Sequence, residues 1–249
     1  MKLSVQCYTV RDQMDQDPYG TLKALREMGL NYVECSGTYG LSAEEIRKAL
    51  DDLGLKCSGT HSGLDQYEGD VEAVIELNNT LGSNFSALAW VGKEIYEPGW
   101  DKFAARLETI GRDIKAAGLV FGYHNHDFEF QLQNGKPGLD ILFENADPSL
   151  VSSQLDVYWV AYGGKDPAEY IKKLKGRIPQ VHYKDGKLGE GKPHYLPVGQ
   201  GDLDWDGIMA ACNDSGVEFA SIELDSSPGD PLDAVRKSVE FLRSKGIND

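Results

Sequence analysis

Three observations predict a closed (β/α)8 barrel as the fold of this chain. Eight apolar, strand-like runs recur, with helix-period segments between them. No GxGxxG follows the first run, which argues against an open dinucleotide-binding sheet. No linker, low-complexity segment or break in composition divides the 249 residues. Residues 1–249 are therefore expected to form one barrel domain, a normal length for that architecture.

The elements follow in order. LSVQCYTV (3–10) is the first run, and TLKALREMG (21–29) after it repeats apolar residues every three or four positions. YVECSG (32–37) leads into SAEEIRKALDDLG (42–54), which Ser42 and Glu45 open as a capping box. KCSGTHSG (56–63) and FSALAW (85–90) are the third and fourth runs. WDKFAARLETIGRDIKAAG (100–118) is a long helix-period stretch before VFGYHNHD (120–127). SSQLDVYWV (152–160) is the sixth run, and Asp166 before Pro167 marks the next helix start. PQVHYKDG (179–186) and ASIELD (220–225) complete the set, and PLDAVRKSVEFLRSKG (231–246) is the last helix. Gly29, Gly54, Gly82, Gly118, Gly216 and Gly246 stand where helices are expected to stop. Strands alternating with helices demand a parallel sheet, and eight such units favour closing it.

Composition narrows the function. Apolar residues make up 41% and charged residues 26%, a globular balance. The net charge of −15 is the wrong sign for gripping DNA, RNA or an anionic membrane, so a small, largely neutral ligand is expected. No apolar run approaches the ~20 residues that span a bilayer. The opening MKLSVQCYTV lacks the pattern of a secretory signal. Cys7, Cys35, Cys57 and Cys212 show neither CxxC nor a framework spacing. They read as reduced core residues of a cytoplasmic protein.

Barrel chemistry sits at the C-terminal ends of strands. Polar residues collect there: Glu34, His61, His124, His126, Asp156, His182, Lys184, Glu223 and Asp225. Alternation puts His124 with His126, His182 with Lys184, and Glu223 with Asp225 on shared faces. One strand-end histidine alone is usually a hydrogen-bonded core residue, and one acid alone often caps the next helix. Asp225, before SSPGDP, and Asp127 read that way. Four of the five histidines at such ends, beside Asp156 and Glu223, point instead to a divalent metal site. Two imidazoles and two carboxylates suit Mn, Co, Fe or Zn.

These residues carry a resemblance over essentially the whole chain. LDVYW (155–159), VHYKDG (181–186), PVGQGDLDW (197–205) and IELD (222–225) resemble the xylose isomerase-like TIM-barrel superfamily. That superfamily holds sugar isomerases, epimerases and inosose dehydratases, with endonuclease IV as a remote cousin. The resemblance implies one divalent ion (Mn favoured, then Co, Zn, Fe or Mg) held by an acid of strand 5, Asp156, His182 and Glu223. At strand 5 this chain departs from the pattern: His124 stands where the isomerases carry glutamate, and the inosose dehydratase branch is similarly histidine-rich there. Glu129 is the alternative strand-5 ligand. The implied reaction is enolisation of a sugar or keto sugar, with Glu223, His126 or Glu34 as base and Lys184 as acid. His61, His194 of the glycine-rich loop KLGEGKPHYLPVGQGDLDW (187–205), Tyr8, Trp90 and Tyr158 are expected to meet the substrate; Trp159 is a further strand-end ring. Tyr8, Trp90, Tyr158 and Trp159 could equally be barrel core. The leading expectation is a metal-dependent isomerase or epimerase. A dehydratase of an inosose-like or 3-keto sugar is the alternative, and a non-catalytic sugar-binding protein the second. Expected partners are a small sugar and a second copy of the chain in a homodimer or larger homo-oligomer.

Overall fold

Eight strands form one parallel sheet in the computed structural model, which describes residues 1–189 and 191–247. They are β1 (Lys2–Val5), β2 (Tyr32–Ser36), β3 (Lys56–Ser62), β4 (Phe85–Leu88), β5 (Val120–His124), β6 (Ser152–Asp156), β7 (Gln180–Tyr183) and β8 (Phe219–Ile222). Each pairs with its neighbour in sequence from β2 to β8, and β8 returns to β1 with Lys2 opposite Phe219 and Val5 opposite Ile222. An isolated bridge between Gln6 and Glu34 joins β1 to β2. The sheet is thus a nearly closed barrel, as the alternation predicts.

Eight principal helices surround it: α1 (Pro18–Glu27), α2 (Ala43–Leu53), α3 (Val71–Leu81), α4 (Trp100–Ala116), α5 (Gly138–Asn145), α6 (Pro167–Lys173), α7 (Trp205–Ser215) and α8 (Pro231–Ser244). Their starts are chemical. Ser42 and Glu45 form the expected capping box, and Asp166 accepts from the N–H groups of Ala168 and Glu169 beside Pro167. Their stops are steric: Gly54 ends α2 at φ 67°, a left-handed conformation that costs glycine little. Phe103, Leu107, Ile110 and Ile114 recur at helical spacing on α4 and are buried. Truncating Leu107 to alanine would cost about 2–5 kcal/mol. The four cysteines are free and buried. Among the described residues, no helix is long and apolar enough to cross a membrane.

The strands are shorter than the apolar runs, and each difference falls beside the site. After β1, the Gln6 side chain accepts from the Tyr8 N–H and starts a 3-10 turn over Cys7–Val10. β5 stops at His124. β6 stops at Asp156, whose side chain caps a short helix, Val157–Tyr162. The apolar VYWV is therefore helical, not strand. After β7, Asp185–Lys187 folds into a hairpin with His194–Leu196. In the first and third of these cases a local side chain has taken over backbone donors that a longer strand would have paired.

Candidate metal centre at the mouth of the barrel

β5, β6, β7 and the residue following β8 carry four side chains to one point. His124, Asp156, His182 and Glu223 each offer a ligand atom, and these atoms all lie within 4.8 Å of one another. All four side chains are buried. Asp156 sits directly opposite His182 in the β6–β7 register. Glu223 follows because its N–H donates to the Tyr183 carbonyl at 3.2 Å, one residue beyond the β8 strand. Neighbouring parallel strands thus bring two imidazoles and two carboxylates to one point, although only Asp156 and His182 are register partners.

Burial and charged neighbours set the protonation of this cluster. Burial drives the His124 imidazole well below its ordinary value, with His182 adding to the effect, so His124 is neutral with lone pairs available. Burial pushes Asp156 up to about 6, although Lys184 pulls the other way. Burial opposes charge on His182, but Glu34 and Glu223 outweigh it and raise the ring to about 10. Burial likewise opposes charge on Glu223, and Lys184 and His182 hold its carboxylate well below the usual range. His182 Nδ1 lies 2.7 Å from Glu223 Oε2. Lys184 Nζ lies 3.0 Å from Asp156 Oδ2, 3.1 Å from Glu223 Oε2 and 2.9 Å from Asp225 Oδ1. The Asp156 contact is an ion pair without hydrogen-bond alignment. Asp156 Oδ2 and His124 Nδ1 are both buried with no hydrogen-bond partner. Such orphaned atoms are costly unless a ligand meets them. This donor set fits a divalent ion of intermediate hardness.

A cavity of about 300 Å3 opens above the cluster, a size for a small molecule. Tyr8, His61, Trp90, His124, His126, Glu223 and Asp225 line it. Tyr8 and Trp90 are exposed at its rim, as an aromatic platform would be. Burial, then Lys184, lowers His126 to about 3, so its ring is neutral, and its Nδ1 has no partner. A larger groove of about 550 Å3 lies near Tyr32, Arg47 and Glu218. Both groups of candidate ligands found among the described residues lie elsewhere, at the strand C-termini.

Other expected site residues stand apart from the cavity. Glu129 is buried outside the ligand group; it accepts from Tyr123 Oη at 2.7 Å and from the His126 N–H at 2.9 Å. It holds the backbone of His126 in place. Glu34 lies under the imidazoles, bonded to His182, Gln154 and Gln180. Lys184 is fully buried behind Glu223 and Asp225. Tyr158 is buried, its hydroxyl donating to the Lys187 carbonyl. His194 is exposed on the hairpin, outside the cavity lining. Asp225 does not cap a helix; that task falls to Asp230 at the start of α8. Asp225 instead faces the cavity as the partner of Lys184, and Asp127 caps nothing. Sequence reasoning missed Tyr195, whose hydroxyl bonds Asp225, and the amides of Gln154 and Gln180. A hairpin tyrosine and strand glutamines carry no periodic signal that would mark them.

Comparison with known proteins agrees with the fold. The family described as xylose isomerase-like TIM barrel matches residues 22–245. An inosose dehydratase of Clostridium perfringens is 26% identical over 201 residues, covering 73% of this chain and 67% of that protein. A sugar phosphate isomerase/epimerase from Parabacteroides distasonis superposes with a TM-score of 0.84 at 22% identity, covering 100% of this chain and 95% of the other. The IOLI protein, solved with a bound zinc atom, superposes with a TM-score of 0.75 at 15% identity, covering 98% and 97%.

Proposed function

Because this chain belongs to the xylose isomerase-like TIM barrel family, we propose that it is a metal-dependent lyase that dehydrates an inosose-like keto sugar. The observation that carries the choice is His124: a neutral imidazole occupies the strand-5 position of the ligand group. Symmetric epimerisation needs a base on each face of the substrate. An imidazole whose lone pair is given to a metal is a poor second base. The inosose dehydratases among the relatives support the same reading. It displaces isomerisation or epimerisation from the leading place, and these become the second reading, supported by the family and by neighbours named for that chemistry.

His124, Asp156, His182 and Glu223 would hold the ion. When bound, a divalent cation there polarises a carbonyl and makes the adjacent C–H acidic. A structural neighbour solved with a bound zinc atom supports a metal-binding reading. Glu223 lines the cavity as a carboxylate and accepts the proton from the carbon beside the carbonyl. The C–H electron pair forms the new C=C bond as the β-hydroxyl leaves, taking the proton back from Glu223 to depart as water. His126, neutral and unpartnered, is placed to accept a hydrogen bond from a substrate hydroxyl. Lys184 helps keep Glu223 ionised and pairs with Asp225. Tyr8 and Trp90 present ring faces to sugar C–H groups.

Keto sugars incubated with the metal-loaded protein in D2O test this. We expect loss of water and an enone absorbance, both largely abolished in Glu223→Gln. Solvent exchange and isomer formation without water loss would transfer the assignment to the isomerase reading. Tight sugar binding with no turnover would leave only a binding protein.

A further inference from the structure

Glu34 was expected to act as a base, yet it is fully buried beneath the cavity and is not part of its lining. A register shift between Val33 and Glu34 in the β2–β3 pairing sets Glu34 opposite Gly59, skipping Ser58. Such irregularities re-aim side chains. A Cβ on Gly59 would come 3.1 Å from Gln180 Oε1 and 3.6 Å from Glu34 Oε1, so the glycine leaves room for this packing.

Four nitrogens surround the Glu34 carboxylate. Gln154 Nε2 donates to Oε1 at 2.5 Å, and Gln180 Nε2 donates to Oε2 at 2.7 Å. His182 Nε2 lies 2.8 Å from Oε2, and His61 Nε2 lies 3.2 Å from Oε1. An ionised carboxylate accepts only, which forces two consequences. His182 must carry a proton on Nε2. The Gln154 amide must turn its NH2 to Glu34, which leaves its carbonyl oxygen 2.6 Å from His61 Nε2. That oxygen also only accepts. His61 Nε2 therefore has two acceptors as neighbours and must be the protonated nitrogen.

We propose that Glu34 is a positioning residue that holds the proton of both His61 and His182 on Nε2, directly and through Gln154. The free Nδ1 of His182, beside Glu223, is then the metal-binding atom. The free Nδ1 of His61, a cavity-lining ring, is an acceptor for a substrate hydroxyl. The His182 half rests on the metal site proposed above; the His61 half does not. Carboxylates behind metal-binding imidazoles orient the ring in this way.

Long-range 1H–15N NMR on histidine-labelled, zinc-loaded protein reads each tautomer directly, with a His61→Asn variant assigning one of the five rings. We expect both His61 and His182 to be protonated at Nε2. In Glu34→Gln, one acceptor replaces two, and zinc affinity from chelator competition should fall about 10–100-fold with unchanged circular dichroism. A wild-type His61 protonated at Nδ1 would overturn the proposal. So would a Glu34→Gln protein that binds zinc within about twofold of wild type with both tautomers retained. Should Glu34→Gln fail to fold, the wild-type spectrum still decides. Wild-type protein that takes up no zinc would sink the metal reading, and the His61 signal would still report on Glu34.

Discussion

Asp156 is where the proposed metal site and pH meet. Burial brings its carboxyl up to about 6, so it gains a proton as pH falls through that value and ceases to be a ligand. His182, at about 10, must shed a proton to bind a cation. Metal uptake should therefore be weak at pH 5, strong at pH 8 and accompanied by proton release. ICP-MS on protein dialysed at both values measures the occupancy, and calorimetry in two buffers counts the protons. Equal occupancy at pH 5 and 8 would refute the assignment, as would full occupancy in Asp156→Ala. Glu129 has a different pH signature. Burial raises its carboxyl to about 8 from an ordinary 4.5. The stability contributed by its neutral form is complete below about pH 4.5 and is lost as pH rises through 8. Glu129→Gln keeps the shape without the titration. Urea midpoints at pH 5 and 8.5 should fall less between those values in the variant than in the wild type, and an equal fall would count against this role. At this scale the gathering of His124, Asp156, His182 and Glu223 was legible, because strand ends on a barrel converge on one mouth. Asp225 was not, since an acid before Ser-Ser-Pro has the local look of a cap. Only the fold reveals that Lys184 lies 2.9 Å away.

Among the elements, the loop after β7 depends on one side chain. Asp185 is fully buried, and its Oδ2 accepts from the Gly199 N–H at 2.9 Å, the Gly201 N–H at 3.0 Å and Trp205 Nε1 at 2.8 Å. This clamp fixes both ends of the segment that carries Tyr195 to Asp225. Asp185→Ala strands these three donors and the Gly186 N–H that bonds Oδ1, each worth roughly 1–3 kcal/mol when left unpaired. It should lower the thermal midpoint by several degrees and open residues 187–201 to limited proteolysis, while α7 keeps its register. A variant as protease-resistant as wild type would show that the hairpin stands without the clamp. The glycine-rich run did announce a loop. It could not announce its anchor, because Asp185 next to Lys184 in VHYKDG looks like one more strand-end acid. Helix boundaries were far more legible, since caps such as Ser42 with Glu45 act over three residues and need no distant partner. Strand ends were overextended for the opposite reason: apolar VYWV suits a strand, but the Asp156 side chain makes it a helix.

The molecule as a whole joins sites distant in sequence. The candidate ligands, residues 124, 156, 182 and 223, lie on separate β-α units of the barrel. A cation held by all four is bound by the folded barrel and has no comparable site in the unfolded chain. Binding energy is then folding energy. At a hundredfold excess over the dissociation constant, one ion contributes about 2.7 kcal/mol. For a chain of this size that is a rise of roughly 5–10 °C in midpoint. Differential scanning calorimetry with manganese or zinc, against magnesium-free and chelator-treated controls, measures it. No shift in wild type, or the same shift in His182→Ala, would place any bound metal elsewhere. The barrel itself was legible from eight repeats of one pattern. The incomplete β1–β2 seam was not, because hydrogen bonding between the first and second strands depends on curvature that accumulates around the whole sheet.

Trp90 offers an optical handle on this architecture. The chain has four tryptophans. Trp100, Trp159 and Trp205 are buried, whereas Trp90 is 58% exposed at the rim of the cavity. A collisional quencher in solution therefore reaches one indole far more readily than the other three. A molecule lying across the cavity shields that indole, so emission colour and quenching report occupancy in real time, without any product being formed. Ligands that never turn over become visible by the same signal. Catalysis and recognition can then be titrated separately in one cuvette.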